Sequence, residues 1–411
     1  MKIVHAADLH IDSPLRGLDR YDGAPVERLR GATRRALENL VALCIEEEAA
    51  LLLLAGDVFD GGWKDYSTGL FFAAQMSRLN EAKIPVALVR GNHDALSTVV
   101  KALRLPANVH ELATRKPETK IFGTIAVHGQ SFEKKTATED LAARYPDRLP
   151  GHFNIGLLHT SIDGREGHDS YAPTTLETMR AKGYDYWALG HVHAREIVSK
   201  DPWIVYSGNL QGRHARETGA KGATVITVED NVVEEVEHRA LDVVRWEHVV
   251  VDASAANDLG DVLDLARAAL VAAQNDGRIL AARLTLTGAT AANTALRQDE
   301  ARAANELRAL ANDLGDTWVE KIKVETTSPL DLARIRGEQS SVGHLARRIQ
   351  AIRESDAELA ALATELADLA KKLPAEARDE GLRLDDPEFL RTMMNDVEQL
   401  LVPRLLEGGE G

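Results

Sequence analysis

Leu51-Leu52-Leu53-Leu54-Ala55-Gly56-Asp57 is an apolar run that stops at a glycine and a carboxylate. A run of this length bounded by a turn residue reads as a buried strand. An aspartate directly after such a strand is poorly placed for a purely structural charge. The same theme recurs along the first 240 residues. Ile3-Val4 leads to Ala7-Asp8-Leu9-His10, and Val86 to Val89 leads to Arg90-Gly91-Asn92-His93-Asp94. Ile155 to Leu158 leads to His159, Trp187 to Leu189 leads to Gly190-His191-Val192-His193, and Ile204 to Tyr206 leads to Ser207-Gly208-Asn209. Between these runs, Leu29, Thr33, Ala36, Leu37, Leu40 and Cys44 share one helical face, and Leu70 to Leu79 forms a second candidate helix. Alternating strands and helices imply an α/β domain, in which ligands bind beyond the carboxyl ends of the strands. Those ends carry the His, Asp and Asn residues.

The 411 residues are 44% hydrophobic and 27% charged, values of a globular chain large enough for two or three domains. The longest apolar run, Ala49 to Ala55, has the length of a strand and not of a membrane span. The N-terminus enters a strand-like stretch at once, so no secretory signal is expected. A single cysteine, Cys44, fits a reducing cytoplasm. The net charge of −15 argues against whole-surface binding to nucleic acid, although metal ions or a local basic strip could still attract phosphate.

The strand-end residues suit one chemistry. Hydrolysis of a phosphodiester at neutral pH needs an activated nucleophile and neutralisation of phosphoryl charge. Two divalent ions roughly 3.5–4 Å apart provide both. A bridging carboxylate with several neutral imidazoles keeps the pair positive, and mixed imidazole, carboxylate and amide ligands suit Mn, Fe or Zn. Taken singly, the motifs are weak: Asp8-x-His10 could be a capping Asp and a surface His, and Gly91-Asn92-His93-Asp94 a turn with an N-cap. His159 alone could be a buried structural His. Gly190-His191-Val192-His193 reads as two imidazoles on one side of an extended segment. Five motifs in order, each at a strand end, point to a metal site built from Asp8, His10, Asp57, Asn92, His159, His191 and His193.

This series resembles the calcineurin-like metallophosphoesterase superfamily over roughly residues 1–215. The stretches from His5 to Leu18, Gly156 to His168 and Gly208 to Gly219 are similar to the bacterial SbcD/YhaO type of DNA-repair exonuclease. The resemblance implies a double-sheet, four-layer α/β sandwich with both metals at one edge. By carry-over, Asp8, His10, Asp57 and His193 would hold the first metal, and Asp57, Asn92, His159 and His191 the second. His93 would not be a ligand; it would stabilise the transition state or protonate the leaving oxygen, with Asp94 orienting its ring. The residue three after the bridging Asp is a catalytic His in archaeal and eukaryotic relatives, and here it is Asp60. The expected cofactors are two divalent ions, Mn foremost, with Fe, Zn or Mg as alternatives. The expected activity is DNA exonuclease or endonuclease cleavage in repair, and the alternative is a phosphodiesterase or phosphatase of small nucleotides. An ATPase with a long coiled coil is the expected partner, no membrane is expected, and a homodimer stays open.

Outside the metal set, Arg213, His214, Arg216 and Lys221 concentrate positive charge and are candidates for phosphate contacts to DNA. Arg165, His168 and Tyr171 either contact a nucleotide or shape the loop after His159. His128 and Trp187 read as structural. The expected division is a metallophosphoesterase domain over 1–243, an α/β capping domain over 244–329 and a helical region over 330–411. In the cap, Trp246 to Val251, Ile279 to Leu286 and Trp318 to Val324 read as strands, and Leu259 to Leu270 and Leu296 to Leu314 as helices. Beyond it, Leu345, Ile349, Ile352, Leu359, Leu362, Leu366, Leu369 and Leu373 form one stripe ending at Pro374. That stripe could pack on the cap or on a partner's helices. A further helix is expected from Pro387 to Leu401.

Overall fold

The computed structural model describes residues 1–13, 28–29, 31–60, 66–96, 103–134, 137–162, 172–274, 277–374, 377–378 and 381–407. Arg165, His168 and Tyr171 lie outside the described residues. The strands are β1 (Lys2–Ala6), β2 (Leu51–Ala55), β3 (Val86–Val89), β4 (Val109–Glu111), β5 (Glu118–Phe122), β6 (Ile125–Gly129), β7 (Phe153–His159) and β8 (Tyr186–Gly190). They continue with β9 (Glu196–Lys200), β10 (Trp203–Tyr206), β11 (Gly222–Glu229), β12 (Val232–Ala240), β13 (Val244–Asp252), β14 (Ile279–Thr287) and β15 (Thr317–Val324).

Two six-stranded sheets run β12-β11-β1-β2-β3-β4 and β5-β6-β7-β8-β10-β9. The strands that carry the motifs pair in parallel, β1 with β2 and β2 with β3 in one sheet, β7 with β8 and β8 with β10 in the other. Parallel strands buried on both faces read as continuous apolar runs, and this is why the leucine run was legible as a strand. Side-chain alternation then builds the layers. Val4, Leu52, Leu54, Val86 and Leu88 pack under the helices Ala32–Glu46 and Tyr66–Glu81 with Leu37, Leu40, Phe72 and Met76. Ile3, Leu51, Leu53, Ala87 and Val89 face Val127, Ile155, Leu157 and Ala188 of the second sheet. Its outer face (Leu158, Trp187, Leu189, Ile204, Tyr206) is covered by Tyr145, Tyr184 and Met179. Helix, sheet, sheet and outer cover make the four-layer α/β sandwich.

The chain divides into two compact units: residues 1–248 with 274–282 and 316–320, and residues 249–273 with 283–315 and 321–411. A third sheet has the order β13-β14-β15. In the second unit the helix expected from Leu296 to Leu314 is two helices, Asn293–Gln298 and Glu300–Asp313. The Asp299 side chain caps the second by accepting from Arg302 N. The single leucine stripe is likewise interrupted. Helices Ser341–Glu354 and Asp356–Lys372 meet at Ser355, whose hydroxyl accepts from Glu358 N. Ile349, Leu359, Ala363 and Ala370 then pack with Leu390 and Met394 of the last helix, Pro387–Glu407. Most of the stripe is therefore covered by its own chain's final helix, while Leu369 stays exposed. Among the described residues, no helix is long and apolar enough to cross a membrane.

Candidate metal centre

His159 ends strand β7, and the other motif residues lie in the turns that follow their strands, several of them in uncommon backbone conformations. Asp8, His10, Asp12 and Asp57 adopt φ of 51°, 42°, 56° and 53°, and His191 adopts 98°. Positive φ costs a non-glycine residue energy and persists only where surrounding bonds enforce it. Here the turns after β1 and β2 are joined by 3.0 Å bonds from Asp8 N to Gly56 O, His10 N to Asp57 O and Ile11 N to Val58 O. Gly56 has φ +91°, and a Cβ on it would lie 2.6 Å from His159 Nδ1. Only glycine lets the chain pass behind that ring.

The side chains gather in two clusters that meet at Asp57. In one, His10 Nε2 is 3.3 Å from His193 Nε2. Asp57 Oδ2 lies 3.9 Å from His10 Nε2, and Asp8 Oδ1 lies 3.9 Å from His193 Nε2. In the other, His159 Nε2 is 2.9 Å from Asn92 Oδ1 and 3.4 Å from Asp57 Oδ2. The His191 ring stands edge to face with His159 at 5.2 Å. The sequence reading of His191 and His193 as neighbours on extended backbone is corrected. Strand β8 ends at Gly190 and the chain turns at His191, so the two rings go to different clusters.

The donor set fits divalent cations. His159 Nδ1 lies 2.9 Å from the Ala55 carbonyl, to which it must donate. Its Nε2 lone pair then faces the Asn92 and Asp57 oxygens, a contact that a cation between them would relieve. Burial lowers the His159 pKa, but the Asp57 and Asp8 charges overcome it and raise it to about 9. The site thus draws positive charge to this point. His193 Nδ1 lies 2.7 Å from Glu217 Oε1, so its Nε2 also presents a lone pair. Imidazole, carboxylate and amide donors together suit Mn, Fe or Zn better than a purely oxygen-seeking ion.

His93 is 41% exposed at its side chain, and Asp60 Oδ1 lies 2.8 Å from its Nδ1. The Asp60 hydrogen bond raises the His93 pKa against the opposing effect of burial. Asp60 is secured in turn by Ser13 Oγ, which donates to Oδ2 at 2.6 Å. Burial would raise the Asp60 pKa, yet bonds to His10 and His93 hold it well below the usual carboxylate range. The expectation that Asp94 orients His93 is corrected. Asp94 accepts from the backbone N–H groups of Val58, Phe59 and Gly91, so it ties the β2 and β3 turns together. Burial and the Asp57 charge push it up to about 7.

The basic residues separate. Arg213 is largely buried, its guanidinium reaching Ser13 Oγ at 3.4 Å and Glu217 Oε1 at 3.3 Å. His214 and Arg216 are exposed. Lys221 is buried and donates to His193 O at 3.2 Å, so it braces the His193 backbone and is not a surface phosphate contact. Sequence reasoning missed Glu217, a carboxylate inside a basic segment. Its signal was a lone acidic residue among Arg213, His214 and Arg216.

The calcineurin-like phosphoesterase family matches residues 1–195, and the middle domain of the metallophosphoesterase YhaO matches residues 246–327. A Bacillus subtilis (strain 168) protein described as the uncharacterized metallophosphoesterase YhaO is 34% identical over 294 residues, covering 70% of this chain and 72% of that protein. Among solved structures, a Thermus thermophilus protein is 16% identical with a TM-score of 0.34, covering 58% of this chain and 98% of its own. A dimetal phosphatase from Danio rerio is 10% identical with a TM-score of 0.36, covering 56% and 93%. A sandwich with imidazoles and carboxylates at its strand ends is the framework of a metal-dependent phosphoester hydrolase. The chain belongs to the calcineurin-like metallophosphoesterase family.

Proposed function

We propose that this chain cleaves the DNA backbone as a two-metal exonuclease or endonuclease in DNA repair, with manganese as the working ion and Fe, Zn or Mg as alternatives. The observation that carries the two-metal reading is the junction of two ligand clusters at Asp57, with a half-exposed His93 beside them. Bound there, the ions would neutralise phosphoryl charge and make an attacking water acidic. The chain's own residues do the rest. Asp8, His10, Asp57 and His193 hold one ion; Asp57, Asn92, His159 and His191 hold the other. His93, kept protonated by Asp60, donates its proton to the leaving oxygen. Asp94 fixes the two turns that carry Asp57 and Asn92.

Support for DNA is narrower: Arg213 beside the cluster, and exposed His214 and Arg216 next to it, suit phosphates flanking the scissile one. The proposed partner is a coiled-coil ATPase. It would meet the C-terminal helices, where Leu369, Leu401 and Leu405 stay exposed. A cytoplasmic location is proposed from Cys44, a buried free thiol. The decisive assay uses end-labelled single- and double-stranded DNA with Mn, Mg and Zn. Manganese-dependent digestion abolished by Asp8→Ala or His93→Ala supports the reading. Turnover of cyclic or mononucleotides far above DNA would replace it with a small-nucleotide phosphodiesterase.

A further inference from the structure

We propose that Glu217 is a positioning residue of the metal centre, clamping the His193 ligand and the Arg213 guanidinium in one arrangement. The inference rests on the two-metal reading and deepens it. Glu217 is 7% exposed and accepts from both sides. Oε1 lies 2.7 Å from His193 Nδ1 and 3.3 Å from Arg213 Nη2. Oε2 accepts from Arg213 N at 2.8 Å and from Asn209 Nδ2 at 3.0 Å. A carboxylate can only accept, so it fixes the proton of His193 on Nδ1 and leaves Nε2 free to face Asp8 and His10. A carboxylate behind a metal-binding imidazole sets both tautomer and ring orientation.

The same carboxylate limits where Arg213 can go. The short turn closed by Glu217 N to His214 O at 2.9 Å returns the chain so that residues 213 and 217 face each other. With Oε1 shared, Arg213 is held 3.3 Å from the far side of the His193 ring and 3.4 Å from Ser13 Oγ. Lys221 anchors the His193 carbonyl independently, which leaves the ring's rotation as the freedom that Glu217 removes. Metal ligand and phosphate-facing cation are therefore set by one side chain. An amide in its place offers one acceptor oxygen instead of two, and cannot serve His193 and the Arg213 backbone together.

The test uses the full-length protein, stripped of metal and titrated with manganese by calorimetry, as wild type, Glu217→Gln and Glu217→Asp. Two ions should bind to wild type. In Glu217→Gln one should bind unchanged and the other about 10- to 100-fold more weakly. Glu217→Asp, which keeps two acceptor oxygens, should recover part of the loss. Inhibition by inorganic phosphate should weaken in Glu217→Gln in parallel, through Arg213. Both manganese affinities within twofold of wild type would overturn the inference. So would equal loss at both sites with a lowered metal-free melting temperature, which marks a purely structural role. Wild type binding fewer than two ions would overturn the two-metal reading and this inference with it.

Discussion

Replacing Asp60 by Asn tests whether His93 works as an acid. The Asp60 carboxylate lies 2.8 Å from His93 Nδ1, and a hydrogen bond to a charged group contributes about 1.5–3 kcal/mol. The His93 side chain is 41% exposed, so solvent screening favours the lower end of that range. About 1.4 kcal/mol corresponds to a factor of ten in population of the protonated form. The sign follows from the partner: Asp60 raises the His93 pKa, so its loss lowers it, and the protonated acid is depleted at a lower pH. The alkaline limb of kcat/KM should move to lower pH, with roughly tenfold lower activity on that limb. The assay compares a phosphodiester with an alkoxide leaving group against bis(p-nitrophenyl) phosphate, whose leaving group needs little protonation. Manganese binding is measured alongside, because Asp60 also lies 3.5 Å from His10 Nδ1. An unmoved alkaline limb, or equal losses on both substrates with metal binding intact, would refute the acid role.

Four further outcomes are expected. Gly91→Ala would place a Cβ 2.2 Å from Asp57 Oδ1, so manganese binding, read by calorimetry, should weaken by at least about tenfold. Gly156→Ala would put a Cβ 2.3 Å from Trp187 Cε3, a ring already stacked on Tyr145 and Tyr184. Overpacking of this kind costs about 1–3 kcal/mol, read as a lower melting temperature. Removing metal by chelation should leave the protein folded by circular dichroism. Re-adding it at about 100 times its Kd should raise stability by about 2.7 kcal/mol for each ion bound. If DNA is the substrate, Arg216→Ala should reduce the salt slope of binding by about one, whereas buried Lys221→Ala should not reduce it.

Strand ends were legible because a parallel strand buried on both faces leaves an uninterrupted apolar run, as in Leu51 to Ala55, and its first polar residue is then conspicuous. The helical punctuation was also present in the sequence but went unread. Ser355 followed three residues later by Glu358 is an N-terminal capping pattern, and it outweighs the leucine spacing that runs through it. Strand β12 escaped notice because its glutamates face solvent at a sheet edge. What no local pattern could supply was pairing across the fold. Asp94 is adjacent to His93 in sequence, yet the turn directs its carboxylate to the backbone of residues 58, 59 and 91, and Asp60 arrives from another strand end. Lys221 looked like surface charge for the same reason: composition counts a cation but not the carbonyl it is buried against.

The positive-φ turns at Asp8, His10 and Asp57 are fastened to one another by backbone hydrogen bonds, none of which involves a cation. The backbone of these turns is therefore shaped by the sheet's own hydrogen bonds. A cage made this way does not select its occupant by reshaping around it. Among ions that accept mixed nitrogen and oxygen donors, occupancy then follows how well each fits that fixed geometry, together with its availability.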